Sequence, residues 1–358
     1  MRIGVDRLTT LVADIFVVAG CELAEARRVA DGLVDANLAG HDSHGVVRVP
    51  RYVDWLHSGE VDAGKRLAVV SDAGSLAVVD GQYGFGASVG REAVEFGLAK
   101  AAQHGAAIVA LRHAGHLGRI GQWAELAASR GVASIHFVNV AGSTLVAPFG
   151  GVDRRFSTAP IAIGFPLEGQ DPVILDFATS AVAEGKVLVA SNGGKALPPG
   201  SLIDPEGGMS TDPETLYGPL AGTIERDHRN GVGAIRAMGD HKGSGLALMC
   251  ELLGGALAGS GTSGPEPHRF ANGMVSVYMT PSAFGSANAI ARDAETFLDW
   301  VRASRPAEEG GRVLVPGDPE RATAADRRAS GVPLSDGTWA AIVATAAKLE
   351  VPVPDGLF

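Results

Sequence analysis

The sequence predicts an α/β protein with helical segments at both ends. Three observations carry that expectation. Apolar residues recur at helical spacing in the first forty positions, helix-period and strand-period runs alternate through the stretch that follows, and amphipathic helical patterns return after Ser286. At 358 residues the chain exceeds the usual size of one hydrophobic core, so two domains are expected.

Taken in order, Leu8, Leu11, Val12 and Ile15 mark a first helix, and Val29, Leu33 and Ala36 a second. LAVVSDAGSLAVVDG reads as a hairpin, VGREAVEFGLAKAAQHG as a long helix, AAIVAL as a strand, QWAELAASRG as a helix and VASIHFV as a strand. From about Leu145 to Asp176 short strand-like runs (IAIGFP, VILDF) are broken by Gly and Pro. Gly-rich and Pro-rich connections continue to about Gly239, lengths that suggest functional loops. KGSGLALMCELLGGALAG is expected to be a buried helix and MVSVYMTP a strand, with two or three amphipathic helices after them.

Composition narrows the classes of function. Apolar residues make up 46% and charged residues 20%, while 49 glycines are about twice the average share and imply many tight turns or close backbone approaches. The formal charge of −10 comes with no basic run, which argues against a nucleic-acid partner. Cys21 and Cys250 are too few and too far apart for a disulfide framework and fit a reducing compartment. Asp6, Arg7 and Asp14 interrupt the N-terminal apolar stretch, and Glu251 interrupts the run from Leu246 to Gly259. A soluble cytoplasmic protein without membrane segments is expected.

Four stretches carry chemistry. GHDSHGVVRVPRYV sets His41 and His44 around Asp42 and Ser43. On a helix starting here, His44, Arg48 and Tyr52 would share one face at i, i+4 and i+8, with Val46, Val49 and Val53 toward the core. Asp42 or Ser43 is expected to cap that helix, and Pro50 suits the first turn of one starting near Val49 or would kink one starting at Ser43. An arginine beside a phenol and an imidazole suits a small carboxylate that must also exchange a proton; a solvated charged face is the plain alternative. Ser43 lacks a G-x-S-x-G elbow, which weighs against a hydrolase triad. AIVALRHAGHLGRIGQWAE offers glycines at a helix start, but Gly115, Gly118 and Gly121 have the wrong spacing for a Rossmann fingerprint, and no acid follows the next strand. The pairs His41/His44 and His113/His116 invite a metal, yet neither has a carboxylate or thiolate partner at ligand spacing. GDHKGSGLAL puts His241 and Lys242 where a helix opens, a natural place for an anion or a nicotinamide amide. DFATSAVAEGKV puts Asp176 at a strand end, as crevice residue or N-cap.

HDSHGVVRVPRY, GHLGRIGQWAE, VAPFGG with STAPIAIGFP, LDFATSAVAEGK, GDHKGSGLALMCELLGGALAG and PGDPE, in that order over nearly the whole chain, resemble the malate/L-lactate dehydrogenase-like oxidoreductases, most closely the hydroxycarboxylate dehydrogenase branch. The resemblance implies a mixed β-sheet with helices on both faces in a non-Rossmann NAD(P)-binding fold. It divides the chain into 1–75 plus 286–358, helical and carrying the substrate segment, and 76–285, the NAD(P)-binding part with a helical excursion near 240–262. It further implies a cytoplasmic homodimer that uses NAD, or NADP, to move a hydride to or from C2 of a small 2-hydroxy or 2-oxo acid. Ser43, His44, Arg48 and Tyr52 match the active-site block, Arg48 taking the substrate carboxylate and Thr158 lining the substrate. His116 matches the proton-transfer histidine, with His44 its competitor. Gly118, Arg119 and Ile120, the run Ile174, Leu175, Asp176, Phe177 and Ala178, then His241 with Lys242, Asn272, and Gly317, Asp318, Pro319 and Glu320 match positions along the dinucleotide; no metal is implied. The chain departs from the family at Ala159, where an asparagine is usual, and at Ser244, where an aromatic is usual. A reductase of cyclic imino acids remains an alternative, and a metal-dependent hydrolase or lyase is one of another class.

Overall fold

The structure is a computed structural model that describes residues 1–191, 196–219, 230–264 and 269–353. In chain order, β1 (Arg2–Ile3), α1 (Val5–Val18) and α2 (Leu23–Leu38) lead through two 3₁₀ turns to α3 (Val49–Ser58). The hairpin β2 (Ala68–Ala73) and β3 (Leu76–Asp80) precedes α4 (Gly86–His104), β4 (Ala106–Ala114), α5 (Gly121–Ser129) and β5 (Ala133–Ala141). Then come β6 (Pro160–Phe165), β7 (Val173–Ala178), α6 (Glu184–Ser191), β8 (Leu202–Ile203), β9 (Met209–Ser210), α7 (Glu214–Tyr217) and β10 (Ala234–Ile235). The last elements are α8 (His241–Cys250), a π-helical run (Glu251–Leu257), β11 (Ala271–Met279), α9 (Ala287–Arg302), α10 (Asp318–Ser330), β12 (Val332–Pro333) and α11 (Asp336–Lys348).

The main sheet has the order β2-β3-β4-β11-β5-β6-β7. It is mixed, because β2 pairs antiparallel with β3 and β3 pairs parallel with β4. The hairpin, the helices α1, α2, α4 and α5 and the strands β4 and β5 fall where the sequence puts them. The expected buried helix differs: α8 gives way at Glu251 to a π-helix, and Leu248, Met249, Leu252 and Leu257 are exposed. The glycine pair Gly254 and Gly255 explains the seating of the other side, since a Cβ on Gly254 would fall 2.8 Å from Asn139 N and one on Gly273 only 1.9 Å from Gly254 O.

Backbone contacts separate two compact units: residues 1–136, 162–176 and 276–358, and residues 137–161 and 177–275. The division that the resemblance implies, 1–75 plus 286–358 and 76–285, is drawn on other bounds than these units, which group the hairpin, α4, β4 and α5 with the terminal helices. The first unit's core is apolar side chains of α1 and α2, among them Leu8, Val12, Phe16, Val29 and Leu33, closed by Ile342 and Ala346 of α11. The antiparallel pair of β1 with β12 ties the first residues to the C-terminal helices. In the second unit Val146, Val187, Leu202, Leu216 and Ile235 form one core, and Ala159, Ile161, Ala247 and Cys250 another. Among the described residues no helix is long and apolar enough to cross a membrane.

Candidate active site

The segment after α2 builds the first cluster. Asn37, buried at the end of α2, accepts the Val46 amide through Oδ1 at 2.8 Å and donates through Nδ2 to Asp42 Oδ1 at 2.6 Å. Gly45 leaves room for that side chain: a Cβ there would sit 2.2 Å from Asn37 Oδ1. The chain therefore makes two 3₁₀ turns, Asp42–His44 and Val46–Arg48, before α3 begins with Pro50 in its first turn, which corrects the expectation of one helix from Ser43. Neither Asp42 nor Ser43 caps a helix. Asp42 instead pairs with Arg327 at 2.6 Å, because a guanidinium arriving from α10 outcompetes local amides. The apolar stripe holds through the break, with Val46, Val49 and Val53 buried.

The polar side of this segment converges on His116, delivered by the loop after β4. Tyr52 Oη lies 2.6 Å from His116 Nδ1. The His44 and His116 rings stack at 5.5 Å with 10° between planes. Ser43 Oγ is 3.1 Å from His44 Nδ1, and Arg48 donates through Nε to the Ser43 carbonyl at 2.7 Å, which fixes the plane of its guanidinium. Trp55 stacks on Tyr52 at 5.5 Å, a partner that the sequence offers only as i+3 spacing on α3.

Electrostatics keep this cluster neutral apart from Arg48. Burial, then the Arg48 charge, pushes the His44 imidazole down to about 3. His116 is also held well below the ordinary histidine range, first by burial and then by Arg48, His44 and Arg51. Burial raises the Tyr52 phenol against the opposing pull of Arg48 and Arg51. Two uncharged imidazoles beside a cation form a site that accepts a proton readily only when an anion offsets that cation.

A second cluster of the same unit gathers three segments expected along the dinucleotide. Asp176 at the end of β7 accepts the Gly121 amide at 2.9 Å, so it serves the first amide of α5, whose N-cap is Ile120, rather than capping a helix after its own strand. Ile174 N–H donates to the Pro316 carbonyl at 3.2 Å, just before Gly317 with φ 96°. Glu320 lies 3.5 Å from His41 Nε2. Arg119 is 3% exposed and pairs with Asp35 at 3.0 Å and Glu125 at 2.5 Å. Gly118 has φ 71°, Ile120 is buried at the start of α5, and Pro319 opens α10 behind Asp318, whose Oδ2 accepts the Val315 amide. Burial raises the Asp176 carboxyl, opposed by His41, the Gly121 amide and Arg119. With Asp176 at the N-terminus of α5 and Asp318 and Glu320 in the first turn of α10, both helix starts already face carboxylates. The cluster fits ribose hydroxyls, which donate to carboxylates, better than phosphates.

In the second unit, Thr158 accepts the Thr179 amide at 3.0 Å and hydroxyl at 3.1 Å. Leu175, in the first unit, is exposed, and Phe177 and Ala178 are half-buried. His241 and Lys242 are exposed in the first turn of α8, His241 edge-on to Phe149 at 5.9 Å. Asn272 is buried and donates to the Asn139 carbonyl at 3.1 Å. Both departures from the family have local consequences. Ala159 is in the left-handed region at φ 35°, where asparagine is better tolerated, and its N–H donates to Ser157 Oγ at 3.1 Å. Ser244 Oγ accepts the Phe149 amide at 2.9 Å.

The two histidine pairs do not assemble one metal site, because His41 turns to Glu320 and His113 to Asp80 while His44 and His116 stack.

Residues 3–343 match the family described as malate/L-lactate dehydrogenase. Hydroxycarboxylate dehydrogenase B of Escherichia coli K12 is 40% identical over 356 residues, 98% of this chain and 95% of the relative. The sulfolactate dehydrogenase of Methanocaldococcus jannaschii superposes with a TM-score of 0.85 at 30% identity, over 99% of this chain and 98% of that one. The δ1-piperideine-2-carboxylate reductase of Pseudomonas syringae does so with a TM-score of 0.81 at 28% identity, over 97% of this chain and all of the other. The chain belongs to the malate/L-lactate dehydrogenase family.

Proposed function

We propose that this chain is an NAD(P)-dependent dehydrogenase of a small 2-hydroxy acid. The observation that carries the reading is the grouping, within one unit, of an anchored guanidinium, two stacked neutral imidazoles and a phenol hydrogen-bonded to one of them. Bound nicotinamide supplies the hydride to C2 of the 2-oxo acid, or takes it in the reverse direction. Arg48 forks onto the substrate carboxylate and orients C2. In oxidation, neutral His116 accepts the hydroxyl proton at Nε2, the nitrogen away from Tyr52. In reduction, the substrate carboxylate offsets the Arg48 charge that depresses His116, the ring takes up a proton, and it donates that proton to the oxygen of the carbonyl being reduced. Tyr52 Oη accepts from Nδ1–H of both the neutral and the charged ring, which leaves the Nε2 lone pair free to take the hydroxyl proton and keeps the ring in one orientation through the cycle. His44, with Ser43 behind it, packs the other face and is the alternative proton carrier. Asp176 and Glu320 favour NAD by accepting ribose hydroxyls and repelling a 2′-phosphate. Roles for Thr158, His241, Lys242 and Asn272 are supported by the resemblance alone. A homodimer in the cytoplasm, with no nucleic-acid or membrane partner, completes the reading.

A panel of 2-oxo acids with NADH and NADPH, followed at the nicotinamide absorbance, tests it directly. His116→Asn is expected to lower turnover by roughly 10² or more, and His44→Asn by less; the reverse order would make His44 the proton carrier. Likeness to the piperideine-carboxylate reductase favours a second reading, reduction of a cyclic imino acid with His116 serving nitrogen, and a cyclic imine in the panel separates the two.

A further inference from the structure

Three residues with side chains adopt left-handed backbone around one loop junction: Gln82 at φ 53°, Tyr83 at φ 59° and His113 at φ 50°. Such conformations are disfavoured for L residues and persist where surrounding contacts impose them, often beside functional groups. Here residues 81–84 are zipped to 112–115. The Gly81 amide donates to the Arg112 carbonyl at 2.8 Å, the Tyr83 amide to the His113 carbonyl at 2.6 Å, and the Gly115 amide to the Gly84 carbonyl at 2.8 Å.

Asp80, the last residue of β3, holds the same junction through its side chain. Its Oδ2 accepts Arg112 Nε at 2.8 Å and lies 3.1 Å from His113 Nδ1, while Oδ1 accepts the Gln82 amide at 2.8 Å. The His113 ring stacks on Tyr83 at 5.1 Å with 16° between planes. Three residues further on stands His116, and the other side of its backbone is pressed against the start of α4: a Cβ on Gly86 would fall 2.1 Å from the His116 carbonyl oxygen. The backbone that carries His116 is thus fixed from both sides, by a carboxylate–imidazole clamp and by a glycine contact. The proton-transfer scheme uses none of these groups.

We propose that Asp80 and His113 are positioning residues that set the direction of the His116 ring; this rests on the reading of His116 as the proton carrier. Without the clamp the strained turn relaxes, Gly115 shifts with it, and the ring leaves its hydrogen bond to Tyr52. Asparagine at 113 tolerates the left-handed backbone and can still donate to Asp80, so it is the conservative replacement.

The test compares Asp80→Ala, His113→Ala and His113→Asn in the full chain by kinetics, thermal unfolding and long-range ¹⁵N–¹H NMR of the His116 ring without substrate. Both alanine variants are expected to lower kcat on the order of tenfold, leave the KM for NADH unchanged and shift the His116 ring nitrogens. His113→Asn is expected to restore most of kcat and the wild-type ring spectrum. Folded alanine variants with unchanged kcat and an unchanged ring spectrum would overturn the proposal, as would a lower Tm with neither changed. If an alanine variant does not fold, Asp80→Asn and His113→Asn are read by the same spectrum. Wild-type turnover in His116→Ala would defeat the proton-carrier reading, and the ring spectrum would still decide whether Asp80 and His113 orient His116.

Discussion

The hydroxyl of Tyr52 stands 2.6 Å from Nδ1 of His116, joining α3 to the loop after β4 across 64 positions of sequence. Burial keeps both groups neutral, raising the phenol and lowering the imidazole. A phenol oxygen that accepts from Nδ1–H leaves the Nε2 lone pair to take a proton in oxidation and, once the ring is charged, an Nε2–H to give one in reduction. Tyr52→Phe keeps the packing against Phe16 and Trp55 but removes this orientation. Turnover is expected to fall by about tenfold to a hundredfold with the KM for NADH unchanged, measured by steady-state kinetics. Unaltered turnover would show that the hydrogen bond does not orient the ring.

Arg48 has two separable effects. Its guanidinium plane is fixed by the Ser43 carbonyl, and its charge is the largest influence after burial in depressing both His44 and His116. Arg48→Ala is expected to raise the KM for a 2-oxo acid by roughly 10² or more, the loss of a charge-assisted fork. The charge repels protons from both imidazoles, so its removal raises their pKa values, and the acid limb of the pH profile of kcat/KM for oxidation of the 2-hydroxy acid, which needs the neutral ring, moves to higher pH. Arg48→Lys retains charge without the fork and is expected to weaken substrate while leaving that limb in place.

Asp176 accepts the Gly121 amide of α5 and, on the proposed reading, a ribose hydroxyl as well. Asparagine can still accept the Gly121 amide, so Asp176→Asn is expected to preserve α5 and the melting temperature while removing the charge near a ribose. The ratio of kcat/KM for NADH to that for NADPH is expected to drop on the order of tenfold. A ratio unchanged in this variant and in Glu320→Gln would remove both carboxylates from cofactor selection.

Local spacing made part of this site legible. The stripe of Val46, Val49 and Val53 and the grouping of Arg48 with Tyr52 survive because both lie within about one turn on either side of Pro50, where 3₁₀ and α geometry differ little in the face they present. What the sequence did not reveal depends on partners far along the chain. Asp42 is drawn from capping to Arg327, Asp176 accepts an amide 55 positions away, and His41 meets Glu320. No period of 2 or 3.6 encodes such pairs. The π-helix at Glu251 was equally hidden, since Gly254 and Gly255 are set by close approach to Asn139 and Gly273 rather than by hydropathy.

His136 gives the sheet a pH dependence of its own. Its ring is fully buried in β5 between Ser134 Oγ at 3.0 Å and Ser276 Oγ at 2.8 Å, and burial pushes its pKa down to about 3. The unfolded chain would protonate it near the ordinary histidine value of about 6.5, so between those two pH values the unfolded state binds the extra proton. Stability is therefore unaffected by this group above about pH 6.5 and falls as pH drops toward 3, by at most about 1.4 kcal/mol per pH unit. His136→Gln keeps hydrogen bonding to a serine without a titrating ring. It is expected to lower stability at pH 7.5 but to flatten the decline between about pH 6 and pH 4 by nearly one proton, measured by urea unfolding across that range. An unchanged slope would mean that His136 takes up its proton while still folded.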